Sequence, residues 1–210
     1  MFKKILDILF PIECIECGSS NFLICDKCFK TIKVNKINYF STDCIDEVHV
    51  CCSFHNRLLQ CAIHLYKYQY IENLSKYLST LMISYFLQIT DKILNPIIIP
   101  VPLHKKRLIE RCFNQSYLIA DSFCKKFDYV LKDNLIRRTK NTKQQAKLNK
   151  EQRIDNMKNS FELLDKDFVQ NKNFIIIDDI YTTGSTVSEI AKLLKNSGAD
   201  KVWCIVIGKN

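Results

Sequence analysis

Glycine and proline are both scarce, four of each in 210 residues. So few spacer residues leave little material for a long disordered linker. No apolar stretch reaches the roughly 18 residues that a membrane-spanning helix needs, which excludes an integral helical membrane protein. Nothing resembles a secretory signal, so the eleven cysteines do not read as a disulfide framework and the chain is expected in the cytosol. Internal repeats and low-complexity segments are absent too. What is present is a 47% share of hydrophobic residues. That is enough for one core of about 120 residues beside a small module.

The most informative stretch is residues 174–187, FIIIDDIYTTGSTV. A short apolar run meets two adjacent carboxylates, then a hydroxyl-rich turn with one glycine. Val187, Ile190, Ala191 and Leu194 follow at helical spacing, and Gly198 stands where a helix stop is expected. This order predicts a buried parallel strand, a phosphate-sized loop and a helix. Backbone N–H groups of the turn and of the helix start can hold a phosphate dianion, aided by the helix dipole. Thr182, Thr183, Ser185 and Thr186 add hydroxyl donors, and Gly184 permits close backbone approach. Asp178 and Asp179 would repel phosphate, so they suit the 2'- and 3'-hydroxyls of a ribose instead. A ribose-5-phosphate site is the result. The plainer alternative is an ordinary strand–turn–helix whose acidic pair is solvated.

These residues resemble the signature of type I phosphoribosyltransferases, which bind phosphoribosyl pyrophosphate (PRPP) with magnesium. The resemblance implies catalytic and ribose-binding roles for Asp178 and Asp179, and a phosphate cradle at Thr182, Thr183, Gly184, Ser185 and Thr186. Tyr181 departs from the pattern, which usually has an aliphatic residue there. The motif speaks to the ligand and not to the reaction, because a fold does not fix its chemistry.

Near the other end lie Cys14-x2-Cys17 and Cys25-x2-Cys28. Two such knuckles offer four thiolates, enough for a closed tetrahedral zinc site. A redox pair is the competing reading for either knuckle alone. With four protein ligands no coordination position stays open, so the zinc is expected to be structural. Most of the remaining cysteines read as small buried hydrophobes.

Punctuation suggests three parts: an amphipathic helix and zinc module over 1–35, connecting strands and a helix over 36–90, and the main domain over 91–210. Residues 2–10 read as a helix stopped by Pro11. It packs on the zinc module or rests weakly on a membrane surface. Residues 44–66 alternate enough to suggest one or two strands, and 71–90 suggests a helix. Residues 96–102 read as a buried strand, followed by a basic loop and a helix from Asn114 to Phe127. Strands alternating with helices over 96–207 predict a parallel α/β sheet, with its site at the carboxyl ends of the strands.

At the carboxyl end of the 96–102 strand stand Lys105, Lys106 and Arg107, with Arg111 one helical turn on. These cations are expected on the pyrophosphate side of PRPP. Pro100-Val-Pro-Leu-His, Arg107 and Arg111-Cys-Phe-Asn-Gln115 resemble the ComF/ComFC family of competence proteins. Arg138, Gln145, Leu148, Arg153, Asn156 and Phe161 continue that family's spacing, Lys67-Tyr68 resembles a further element, and the family also begins with a double-knuckle zinc module. Cys112 replaces a glycine of the pattern. A cysteine is strained there if the position needs a positive φ, and harmless if it lies in a first helical turn.

Charge is uneven. The chain carries a net +9, and the 103–160 segment, with 15 basic and 6 acidic residues, accounts for all of it. Such a cluster suits a polyanionic partner. Lys140, Lys143 and Lys147 are candidates for single-stranded DNA phosphates, or else belong to a basic loop that orders over PRPP. The resemblance favours a PRPP–magnesium-binding protein of natural transformation, handling incoming single-stranded DNA beside uptake-machinery proteins at the inner face of the cytoplasmic membrane. Two alternatives stay open. One is a working phosphoribosyltransferase of nucleotide metabolism, for which no acceptor-binding segment is recognisable. The other is a zinc-containing nucleic-acid module with a vestigial PRPP site.

Overall fold

The computed structural model describes residues 12–140 and 159–210. The expected helix over 2–10 lies outside them, as do Lys143 and Lys147 and the family-spaced Gln145, Leu148, Arg153 and Asn156.

A six-stranded sheet organises the chain. Its strands are β1 (Tyr39–Phe40), β2 (Glu47–Val50), β3 (Ile97–Pro100), β4 (Val130–Leu131), β7 (Phe174–Tyr181) and β8 (Val202–Lys209). Their order is β1-β2-β8-β7-β3-β4, and every pair but β1–β2 is parallel. β5 (Ile136–Arg138) and β6 (Phe161–Leu163) form a separate antiparallel pair. β7 and β8 are central and apolar on both faces, as parallel strands covered by helices must be.

Alternate residues feed two cores. Ile98, Ile175, Ile177, Trp203, Ile205 and Ile207 face α2 (Arg57–Tyr68), α3 (Ser75–Phe86) and α5 (Gln115–Phe127). Ile97, Ile99, Phe174, Ile176, Cys204 and Val206 face α6 (Ser185–Asn196) and the β5–β6 pair. The first core continues into the cysteine module, where Cys14, Ile24, Cys28 and Ile32 pack in one cluster with Leu58 and Leu59 of α2. The module's short α1 (Asp26–Phe29) also sets Phe29 edge-on against Tyr77 of α3.

Two local expectations change. Residues 57–68 are helical, not extended. Leu58, Leu59, Ala62, Ile63 and Tyr66 are buried at helical spacing, and the Asn56 side chain accepts the Leu59 N–H at 2.9 Å as an N-cap. The basic segment after β3 is also a helix, α4 (Lys105–Arg111), with His104 Nδ1 accepting the Lys106 N–H at 3.3 Å. Cys112 ends α4 at φ +64°, so the strained alternative holds at that position. β2, within the presumed connecting segment, is a full sheet strand registered against β8.

Candidate functional site

A cavity of about 840 Å³ opens where the carboxyl ends of β3 and β7 meet α2, α4 and the start of α6. It gathers Asp178, Asp179, Thr182, Gly184, Ser185, Thr186, Arg107 and Arg111. Thr183 is turned to Ser185, their hydroxyl oxygens 2.9 Å apart. Lys105 and Lys106 lie exposed on α4 and do not line the cavity. Lys140 is exposed and outside it as well.

The acidic pair is held from three sides. Ser116 Oγ, in the first turn of α5, donates to Asp178 Oδ1 at 2.9 Å, and so does the Asp179 backbone N–H. The Ile180 N–H donates to Asp179 Oδ1 at 2.7 Å, where the Lys67 ammonium also arrives at 2.8 Å. Ser116 is itself placed by Asn114, whose side chain accepts the Ser116 N–H and donates to the Val101 carbonyl. One cap thus ties α5 to the end of β3. Burial and the neighbouring Asp179 carboxylate push the Asp178 carboxyl up to about 6, against the opposing pull of Lys67 and Ser116.

Across the cavity the charge is positive. Burial and the Arg111 guanidinium lower Arg107. Arg138, buried in β5, is pushed down to about 10 by burial and by Arg107, with Asp178 opposing. Crowded, partly desolvated cations are what an anionic ligand relieves. Arg111 Nη1 donates to Gln115 Oε1 at 3.1 Å and lies over the Tyr68 ring. Gln115 Nε2 is buried without a partner among the described residues.

The loop itself follows the order read from the sequence. Gly184 takes φ +74° as the N-cap of α6, whose first N–H groups lack intrahelical acceptors. The Ser185 N–H donates instead to Thr183 Oγ1 at 3.4 Å, and Gly184, Ser185 and Thr186 all line the cavity. β7 runs on through Tyr181, farther than the apolar run suggested. Lys67 and Arg138 are the site residues that motif reading did not assign. The family spacing had marked both positions without a role. The polar face of α2 also lines the cavity with Arg57, Cys61, His64 and Tyr68, of which only Tyr68 has a signal in the sequence, through the Lys67-Tyr68 element.

The cysteine module fits a metal. The sulfurs of Cys14, Cys17, Cys25 and Cys28 lie within 4.8 Å of one another, and Cys17 Sγ is 3.7 Å from Cys25 Sγ. A tetrahedron with zinc–sulfur bonds of about 2.3 Å has edges of about 3.8 Å, so the donor set matches four-thiolate zinc. The four thiols titrate together: burial opposes ionisation of Cys14, but the backbone N–H groups of Cys25, Cys17 and Glu16 outweigh it and lower that thiol, while burial and the neighbouring thiols raise Cys28. Among the described residues no helix is long and apolar enough to cross a membrane.

Several known proteins are similar to this chain in sequence. Competence protein F of Haemophilus influenzae is 36% identical over 106 residues, half of this chain and 46% of that protein. DNA utilization protein YhgH of Escherichia coli O157:H7 is 39% identical over 121 residues, 57% of this chain and 50% of its own. Competence protein ComFC of Bacillus subtilis is 35% identical over 108 residues, 49% of this chain and 39% of its own. The chain thus spans half or less of the length of these relatives. Residues 106–207, just under half of the chain, match the family described as PRTase ComF-like, and this match takes in all of α4 but Lys105, β7, the 182–186 loop and α6, so that region is a domain of the ComF-like phosphoribosyltransferase family.

Proposed function

We propose that the cavity binds PRPP with magnesium and that the protein serves DNA uptake, handling incoming single-stranded DNA at the cytoplasmic face of the inner membrane. One observation carries the ligand reading. A carboxylate pair, a phosphate-sized loop at a helix N-terminus and three arginines converge on one cavity. The loop and the α6 N–H groups take the 5'-phosphate, Asp178 and Asp179 accept the ribose hydroxyls, and Arg107, Arg111 and Arg138 face the diphosphate. Magnesium fits this donor set, since carboxylate and phosphate oxygens are its preferred ligands. It would neutralise the diphosphate, with Asp178 and Asp179 the nearest protein oxygens. The DNA role draws support from the names of the relatives, competence and DNA utilization proteins, and from the basic 103–160 segment.

Calorimetric titration of the full chain with PRPP and magnesium is the direct test. Saturable 1:1 binding is expected, and an absence of heat at millimolar ligand would remove the ligand reading.

A working transferase is favoured by a different observation. The polar face of α2 roofs the cavity with Arg57, Cys61, His64 and Tyr68, a wall against which an acceptor can lie. Screening pyrophosphate release across purines, pyrimidines and glutamine separates an enzyme from a binder.

A further inference from the structure

Tyr181 closes β7 three residues before Gly184. It is 8% exposed, and its ring is fixed on several sides. Phe40 meets it edge-on, with centroids 5.4 Å apart at 87°. The Lys209 ammonium lies 4.0 Å from the Phe40 centroid and 5.8 Å from that of Tyr181. The backbone is pinned too, since the Asn210 N–H donates to the Tyr181 carbonyl at 3.0 Å.

The hydroxyl at the end of this fixed ring has no hydrogen-bond partner among the described residues. An apolar residue would satisfy every contact the ring makes. The ring is buried, but its Oη is not one of the sealed polar atoms left without a partner, so the hydroxyl meets solvent and is free to exchange water for another partner. Its position suggests which. The hydroxyl fills the space where Gly184 would carry a Cβ, and a side chain there would overlap both Oη and Cζ. It therefore sits under the middle of the 182–186 loop, and Tyr181 lines the same cavity as Thr182, Gly184, Ser185 and Thr186.

We propose that Tyr181 is a ligand-binding residue whose Oη donates a hydrogen bond to an oxygen of the phosphate monoester held by the 182–186 loop. This rests on reading the cavity as a ribose-5-phosphate site. The phenol adds a rigid neutral donor to the backbone N–H groups and mobile hydroxyls of the loop. Burial, with the Cys204 and Cys44 thiols nearby, raises the Tyr181 pKa, so the group keeps the proton it must donate at neutral pH. Phe40 and Lys209 hold the ring at the height the loop requires and act as positioning residues.

The test compares the full-length protein with Tyr181→Phe, which removes one oxygen and retains the ring packing. Ribose 5-phosphate and PRPP–magnesium are expected to weaken by the same factor, about tenfold for one hydrogen bond to a charged acceptor. Pyrophosphate, which lacks the 5'-phosphate, is expected to bind unchanged. Equal affinity of variant and wild type for ribose 5-phosphate, within twofold, would overturn the proposal. So would a loss that extends to pyrophosphate, because that reports general distortion. If Tyr181→Phe does not fold, wild-type protein carrying ring-labelled tyrosine replaces it. Ribose 5-phosphate should then shift the Tyr181 Cζ resonance, and saturation without that shift overturns the assignment. Wild-type protein that binds no ribose 5-phosphate overturns this proposal together with the ligand reading, whereas binding that ignores Tyr181 overturns this proposal alone.

Discussion

The Lys67 ammonium rests 2.8 Å from Asp179 Oδ1, joining the last turn of α2 to the carboxyl end of β7. Asp179 is almost fully buried, while Lys67 keeps about a fifth of its side chain exposed. The Lys67 charge offsets repulsion within the acidic pair and adds a cation to the cavity lining. Lys67→Met keeps an unbranched apolar side chain of similar length and removes the charge. It is expected to lower the thermal midpoint modestly and to weaken PRPP–magnesium binding by at least about tenfold. Tighter binding in the variant, measured by calorimetry, would show instead that Lys67 plugs the ribose site and must be displaced.

The raised carboxyl of Asp178 makes stability depend on pH in a definite direction. Its folded value is about 6 against an ordinary 3.8, so the folded chain holds this proton longer than the unfolded one. Between about pH 4 and 6 the group therefore costs stability as pH rises, and the full penalty persists above 6. Asp178→Asn keeps an oxygen to accept from Ser116 and cannot ionise. It should stabilise the ligand-free protein by roughly 1–3 kcal/mol at pH 7.5 and by little below pH 4. The ligand runs the other way, since ribose hydroxyls and magnesium favour the carboxylate. PRPP affinity should fall as pH drops below 6, and denaturant melts with matched titrations at three pH values check both slopes.

Much of this site was readable from sequence because it is local. The FIII run, the acidic pair and the TTGST loop are consecutive, and each residue type carries its own constraint on backbone or chemistry. What could not be read is what comes from afar. The pairing of β2 with β8 joins segments about 150 residues apart, and α2 reaches the site only because its apolar face packs on the sheet. Helix 57–68 reads as strand in the sequence because the residues before it alternate, while the 3–4 spacing of Leu58, Leu59, Ala62 and Ile63 decides the matter once burial is known. α4 buries no residue, so no apolar stripe marks it in the sequence.

Cys112 offers a stability test independent of any ligand. It takes φ +64° at the end of α4, a conformation costing a side-chain-bearing residue roughly 1–2 kcal/mol that glycine does not pay. Cys112→Gly is expected to gain about 1 kcal/mol, or about 2–4 °C in a chain of this size. A lower melting temperature would mean that the Cys112 side chain, exposed in this structure, makes a contact worth more than the strain.

The cysteine module is tied to the site through α2. Cys14 and Cys28 share a core cluster with Leu58 and Leu59, and the Asn56 side chain that caps α2 also donates to the Thr31 carbonyl at 3.3 Å. Losing the metal should therefore loosen the N-terminal half of α2 before it disturbs the 182–186 loop. Metal analysis is expected to find about one zinc per chain, and Cys25→Ser or strong chelation should lower the melting temperature. Hydrogen exchange should rise first in 12–34 and 57–63. Full stability in a metal-free preparation would rule out a structural zinc.

The basic 103–160 segment supplies the last prediction. Arg107, Arg111 and Arg138 already face the cavity, whereas Lys140 lies outside it and Lys143 and Lys147 fall beyond the described residues. If these lysines contact phosphates, single-stranded DNA binding should be nearly indifferent to sequence. The logarithm of affinity should fall with the logarithm of salt, with a slope of about −0.7 per phosphate contacted. Replacing Lys140, Lys143 and Lys147 by glutamine should reduce that slope by roughly two and weaken every sequence alike. The same triple variant must be titrated with PRPP, because a basic segment that closes over the ligand would lose PRPP affinity instead. Unchanged DNA binding beside weakened PRPP binding would assign the charge to the PRPP site, leaving DNA to be held by another surface.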